Sequence, residues 1–275
     1  MVIKETLITG QLPPRNDLYD HYYFSETSDP GLVEIARRVQ ADGYTTMGFV
    51  SGDAVAPDGT LIDSIDHSRG DYTDYYLAVS PSNANDKATM RKINLPPYGS
   101  VEDLPAYALS KEGLLRGSLE RLHDMQRHSL NIKEIAGLAR TREASPIGVY
   151  ELLRDVLQES LGRDEVWFFS IVSGTYDSLT KYFGKSAFSI IGEDVKINDP
   201  RVDEKVLLKP VLLFPDHLFE SMIYDVENSS NVRERRKILN MFLYFTEGLT
   251  ETTMGEYVSN YRQLAMSQDR QNKVS

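Results

Sequence analysis

The chain contains no cysteine, a single tryptophan, and no apolar run of about eighteen residues, the length that spanning a bilayer requires. The first absence excludes disulfides, thiolate metal sites and a cysteine nucleophile, and it fits a reducing compartment. The third leaves no candidate for a membrane span, and the opening "MVIKETLITGQLPPRNDLYD" has no apolar core behind a basic start, so a cytoplasmic protein is expected. Positive charge is also in short supply. The formal net charge of -11 argues against a broad surface for nucleic acid or anionic lipid. The densest basic cluster, Arg233, Arg235, Arg236 and Lys237, reads as the solvated face of a helix or a patch for an acidic partner. The five histidines, at 21, 67, 123, 128 and 217, show no metal-ligand spacing, and neither a G-x-S-x-G element nor a Walker loop is present.

What remains is an ordinary globular composition, 41% hydrophobic and 26% charged with sixteen tyrosines, which gives 275 residues ample material for a core. Residues 1–28 read as an arm. A helix is expected from Asp29 to about Ala41 with Gly43 as its stop, followed by turn-rich sequence with Asp58-Gly59 and Gly70. "TDYYLAVSP" and "DKATMRKINL" alternate like strands around the turn "SNAND", predicting a hairpin. One helix over 108–128 should present Leu114, Leu115, Leu119 and Leu122 on one side. Then come a strand at 131–141, a helix at 146–161, the strand "VWFFSIVS", the helix "DSLTKYFG", and strands at 187–197 and 205–214. Hairpin first and alternation later define an α/β (α+β) class, a mixed central sheet flanked by helices. Residues 217–275 read as a C-terminal helical extension packed on that core.

The stretch "NIKEIAGLARTREASPIGVYELLRDVLQESLG", from Asn131, carries the most chemistry. Period two places Ile132, Glu134, Ala136 and Leu138 on one face, leaving Glu134 as the only charge among apolar neighbours. Such a carboxylate must be paired, or take up a proton, or face a water-filled cleft. Downstream, Ser145 suits a helix N-cap and Pro146 the first helical position, with Val149, Leu152, Leu153, Val156, Leu157 and Leu161 as the buried stripe. Arg140 and Arg142 lie between strand and helix. They either complement a phosphate at the helix start or are solvated.

This order of segments resembles the GNAT acyltransferase superfamily over residues 29–216, and within it the branch of N-acyl amino acid synthases and acyl-homoserine lactone synthases. In that branch an acidic pair precedes a strand bearing arginine, and a Glu-led strand follows; "DYTDYYLAV" matches with Asp71 and Asp74, "TMRKI" with Arg91, and "EIAGLA" with Glu134. The resemblance implies transfer of an acyl group from a pantetheine thioester, on coenzyme A or acyl carrier protein, to a small amino-acid-like amine, without a tightly bound cofactor or metal. It implies Glu134 as base, Tyr182 (in competition with Phe183) as acid, Leu138 and Ala139 beside the donor arm, and Arg140, Arg142, Ser145 and Gly148 at the donor's phosphate end. Asp71, Asp74 and Arg91 would shape the acceptor pocket. The sequence departs from the superfamily's phosphate loop, since among Glu143-Ala144-Ser145-Pro146-Ile147-Gly148 only the glycine fits and proline offers no N–H. Gly137 also stands where the branch commonly has arginine. Both departures are compatible with a carrier-bound donor or with a binding module that has lost catalysis.

Overall fold

The protein is described by a computed structural model over residues 18–25, 27–62, 72–128 and 131–274. The expected site residue Asp71 and most of the N-terminal arm lie outside those residues. The described end of the arm is a strand: β1 (Asp20–Ser25) adds antiparallel to the sheet, with Asp20 to Tyr23 exposed and Phe24 buried. After it comes α1 (Pro30–Thr46), whose start follows the expected logic, with Asp29 accepting the Leu32 N–H at 3.1 Å and proline in the first turn. The helix runs through Gly43 rather than stopping there. A Cβ at Gly43 would stand 2.8 Å from the Arg140 carbonyl, so this glycine serves close helix-to-strand packing, and the left-handed Gly48 just beyond the last turn ends the run.

The expected hairpin is β2 (Thr73–Ser80) with β3 (Asn83–Asn94), and alternation assigns their faces. Tyr75 and Leu77 pack with Val33, Ala36 and Val39 of α1, while Tyr76, Ala78, Ala88 and Met90 face the opposite side. The helix read over 108–128 is two, α2 (Pro105–Ser110) and α3 (Arg116–Arg127). Between them, Gly113 lies against the Glu193 backbone and Leu114 bridges to Gly192, which breaks the run.

There follow β4 (Asn131–Arg140), α4 (Ile147–Ser160), β5 (Glu165–Val172) and α5 (Ser173–Phe183). The strand expected at 187–197 is present only as β6 (Ser189–Ile190) and β7 (Val195–Lys196), both antiparallel to β8 (Leu207–Leu213). The sheet order is β1-β2-β3-β4-β5-β8-β6, antiparallel except for β4 with β5. The tail forms α6 (Leu218–Asn228), α7 (Val232–Thr246), α8 (Glu251–Met254) and α9 (Glu256–Val274). Phe219, Met222, Phe242 and Phe245 from this tail share one apolar cluster with Leu152 and Leu157 of α4 and Trp167 and Phe169 of β5.

Two polar devices hold α4 in place. Lys92 of β3 donates to the Glu165 carboxylate at 2.8 Å and to Ser160 at 3.2 Å, all of it buried. At the other edge His21 of β1 sits between Asp155 and Glu151 of α4, 3.0 Å from the latter, with Arg154 beside Asp155. Burial pulls the His21 imidazole down, but hydrogen bonds to Asp155 and Glu151 outweigh it and hold it at about 9, above its ordinary value of 6.5. A raised folded-state pKa contributes stability fully below pH 6.5 and loses it as pH rises through about 9. The urea midpoint should therefore fall between pH 6.5 and 9, and His21→Gln should flatten that fall. An equal slope in wild type and variant would remove His21 as the cause.

Candidate active site

The site begins where two parallel strands part. β4 and β5 pair from Asn131 with Glu165 to Glu134 with Phe168, and beyond that point neither pairs with the other although both continue. On its other side β4 loses register with β3: Thr89 faces Ala139 and Arg91 faces Ala136, so Gly137 and Leu138 together oppose Met90. Gly137 has φ +62°, and a Cβ there would lie 2.9 Å from Arg91 Nε, so both conformation and space require glycine.

The bulge moves Leu138 to the other face. Ile132 and Ala136 belong with the α2/α3 side, as expected, but Leu138 joins Ile135 on the α4 side, because the extra residue shifts the alternation by one. Ala139 then lies against Gly43 of α1.

Between the parted strands is a cavity of about 190 Å³. Its walls are largely apolar, with Leu157 of α4, Trp167 and Phe169 of β5, and Leu179 and Phe183 of α5 among them. Polar groups enter from the α1/α2 side, and three of them, Gln40, Arg91 and Glu134, are at most 4% exposed. Glu134 Oε2 accepts the Ala106 N–H at 2.7 Å, within the first turn of α2, where Pro105 opens the helix. Asp199 also reaches the cavity, but hydrogen bonds from Arg201 hold its carboxyl down at about 2, which makes it a poor proton acceptor near neutral pH. Ser170 of β5 contributes a buried hydroxyl with no hydrogen-bond partner among the described residues.

The residues expected from sequence divide into those the fold gathers and those it does not. Glu134, Arg91 and Leu138 line the cavity. Asp74 is on the other side of the sheet from Arg91. It faces the α4 side next to Lys92's strand position and accepts from Asn94 Nδ2 at 2.8 Å, since adjacent strand residues alternate faces. Tyr182 points away from the cavity as well. Its ring meets Tyr150 edge-on at 5.9 Å and lies 5.6 Å from Lys237 Nζ, and burial raises its pKa; the next residue, Phe183, turns inward.

The turn into α4 is also occupied by the protein's own groups. The helix begins at Ile147 with Pro146 in the capping position, one residue later than expected, and Ser145 Oγ accepts the Ile147 N–H at 3.2 Å. Arg140 donates to the Ala144 carbonyl, and the Arg142 N–H is bound by Asp42 at 2.9 Å while its side chain is exposed. Asp86 of β3 accepts the Ser145 N–H at 3.3 Å and the Tyr19 hydroxyl at 2.8 Å. Gly148 is covered by the Tyr19 ring. Sequence reasoning missed Asp86, Gln40 and Ser170. Only Ser170 carried a local signal, as the lone hydroxyl in "VWFFSIV".

The mixed α/β architecture, a multi-strand sheet flanked by helices, matches the fold of GNAT acyltransferase structures. Among solved structures the chain is similar to FeeM, an N-acyl amino acid synthase from uncultured soil microbes, at a TM-score of 0.52 and 15% identity over 74% of this chain and 95% of that one. It also aligns with two CoA-dependent acyl-homoserine lactone synthases. MesI matches at a TM-score of 0.46 and 15% identity over 78% of this chain and 98% of that one. BjaI, with SAM and isopentyl-CoA, matches at 0.47 and 11% over 80% and 98%. The two lower scores add nothing to the fold assignment. No family model and no curated protein matches the sequence.

Proposed function

We propose that the chain is an acyltransferase that moves an acyl group from a pantetheine thioester to the nitrogen of a small, amino-acid-like acceptor. The observation that carries this reading is the parting of β4 and β5 over an apolar cavity that ends at buried Glu134 and Arg91. The fold shared with an N-acyl amino acid synthase supports it. The apolar walls suit an acyl chain, and where β4 parts from β5 the backbone beside Leu138 lines the cavity, where an N–H can meet a developing oxyanion.

In the reaction the acceptor nitrogen attacks the thioester carbonyl carbon, the C–N bond forms and the C–S bond breaks. Glu134 as a carboxylate takes the proton that the amine loses, which balances the thiolate released. Arg91, on the same face of the sheet, presents a guanidinium to an acceptor carboxylate. Tyr182 has no part in this scheme because it faces out of the cavity. In this reading acyl carrier protein can carry the donor, and the reaction takes place in the cytoplasm. No helix among the described residues is long and apolar enough to cross a membrane, and no group of three metal-binding side chains occurs among them.

The closed turn at the start of α4 favours a second reading, a GNAT-like module that binds without turnover. Mass spectrometry of the protein incubated with acyl-coenzyme A or acyl carrier protein and a pool of amines decides between them. A new acyl amide supports transfer; binding of donor without product supports the module.

A further inference from the structure

We propose that Asp86 guards the start of α4 against anions, so that the chain recognises its donor through the acyl chain and thioester arm and draws no affinity from the diphosphate of coenzyme A. This deepens the acyl-transfer reading and rests on it for the chemistry of the donor.

A helix start attracts one anion strongly, because its N–H groups lack partners within the helix and the dipole is positive there. Here a carboxylate of the chain already stands just ahead of the helix, at the residue before the capping Pro146. Asp86, 59 residues away in sequence, brings its carboxylate to the Ser145 N–H. Tyr19 donates to both of its oxygens, at 2.8 and 2.9 Å, and burial together with the Asp86 charge holds the phenol well above its usual range, so it remains a donor.

Several other groups of the turn are spent in the same way. The N–H groups of Thr141, Arg142, Ala144 and Ile147 already have acceptors in Lys87, Asp42, Thr141 and Ser145, and Pro146 has none to give. The Tyr19 ring covers Gly148 so closely that even a Cβ would lie 3.1 Å from it. Arg140 donates to the Ala144 carbonyl. A diphosphate entering this turn would meet the carboxylates of Asp42 and Asp86 at short range, where like charges are screened poorly. The apolar cavity between β4 and β5 carries no such charge barrier on its α4 side, where Leu153, Leu157, Phe169 and Phe183 form the wall. Selection therefore falls to the part of the donor that lies there.

The test measures binding of an acyl-coenzyme A and of the matching acyl-pantetheine, which lacks the phosphates, to wild type, Asp86→Asn and Asp86→Ser, with transfer followed in parallel. Thermal melts confirm that each variant is folded. Wild type should bind the two thioesters within about threefold of each other. Removing the charge should improve the acyl-coenzyme A affinity about tenfold relative to acyl-pantetheine, with the gain shrinking at high salt. The serine variant reads the same ratio if the asparagine retains the hydrogen bonds that close the turn. A wild type that prefers acyl-coenzyme A tenfold or more, or a ratio unmoved in both variants, overturns the inference. Absence of transfer with either donor would remove the acyltransferase reading alone, because the binding ratio decides the role of Asp86 independently.

Discussion

Glu134→Gln should lower the rate of acyl transfer by about a hundredfold to ten-thousandfold, the usual worth of a positioned general base, while the melting temperature barely moves. The stability half of that expectation follows from Glu134's contact. Its Oε2 accepts the Ala106 N–H, and a glutamine carbonyl oxygen can accept the same bond from the same place in the strand. The rate half follows from burial: at 4% exposure, between an apolar wall and Arg91's strand, little else can receive the amine's proton, and Asp199 is tied to Arg201. The measurement is kcat and KM with a donor and acceptor identified by mass spectrometry, beside a thermal melt. A rate within threefold of wild type would remove Glu134 from proton transfer, whereas loss of rate together with loss of folding would make it a structural ligand of α2.

The largest effect on stability should come from Lys92→Met, at about 3–5 kcal/mol, because it strands the Glu165 carboxylate in the core. Burial raises the Glu165 pKa, but the hydrogen bond and charge of Lys92 outweigh it, and Trp167 Nε1 donates at 3.2 Å, so the net shift is downward. A depressed folded-state pKa contributes stability above the ordinary carboxylate range and loses it as pH falls through the folded value. The penalty of Lys92→Met should accordingly shrink in acid, where Glu165 is protonated in the variant. Adding Glu165→Gln to Lys92→Met should recover much of the loss. Equilibrium urea unfolding of wild type, Lys92→Met and the double variant at neutral and acidic pH checks this. A single variant within about 1 kcal/mol of wild type would show that the pair contributes little to stability.

How much of this was legible in the sequence depends on the range of the interaction. The β2/β3 hairpin, the apolar stripe of α4 and the isolation of Glu134 in its strand are set by neighbours within one element, and periodicity reveals them. The bulge at Gly137 is a contest between two strands for register. Nothing in "EIAGLAR" announces it, and it sends Leu138 to the face opposite the expected one. The resemblance puts Asp74 and Arg91 in one acceptor pocket, yet parity along paired strands places them on opposite sides of the sheet. The one-residue ambiguity between Tyr182 and Phe183 was resolved by helix rotation, with the phenylalanine inward. Gly43 looked like a stop and proved to be a contact, since packing against Arg140 decides its use rather than its propensity. Asp86 was invisible for the simplest reason: it meets Ser145 and Tyr19 only after three separate segments have folded together.

An acyl thioester should occupy the gap between β4 and β5, and the sequence supplies a reporter there, since Trp167 is the only tryptophan and lines that cavity. Titrating the protein with acyl-pantetheine while following tryptophan fluorescence tests it directly. A saturable change whose midpoint tightens as the acyl chain lengthens is the result expected. Product formation or measurable donor binding with the Trp167 signal unmoved would place the donor elsewhere and contradict the account.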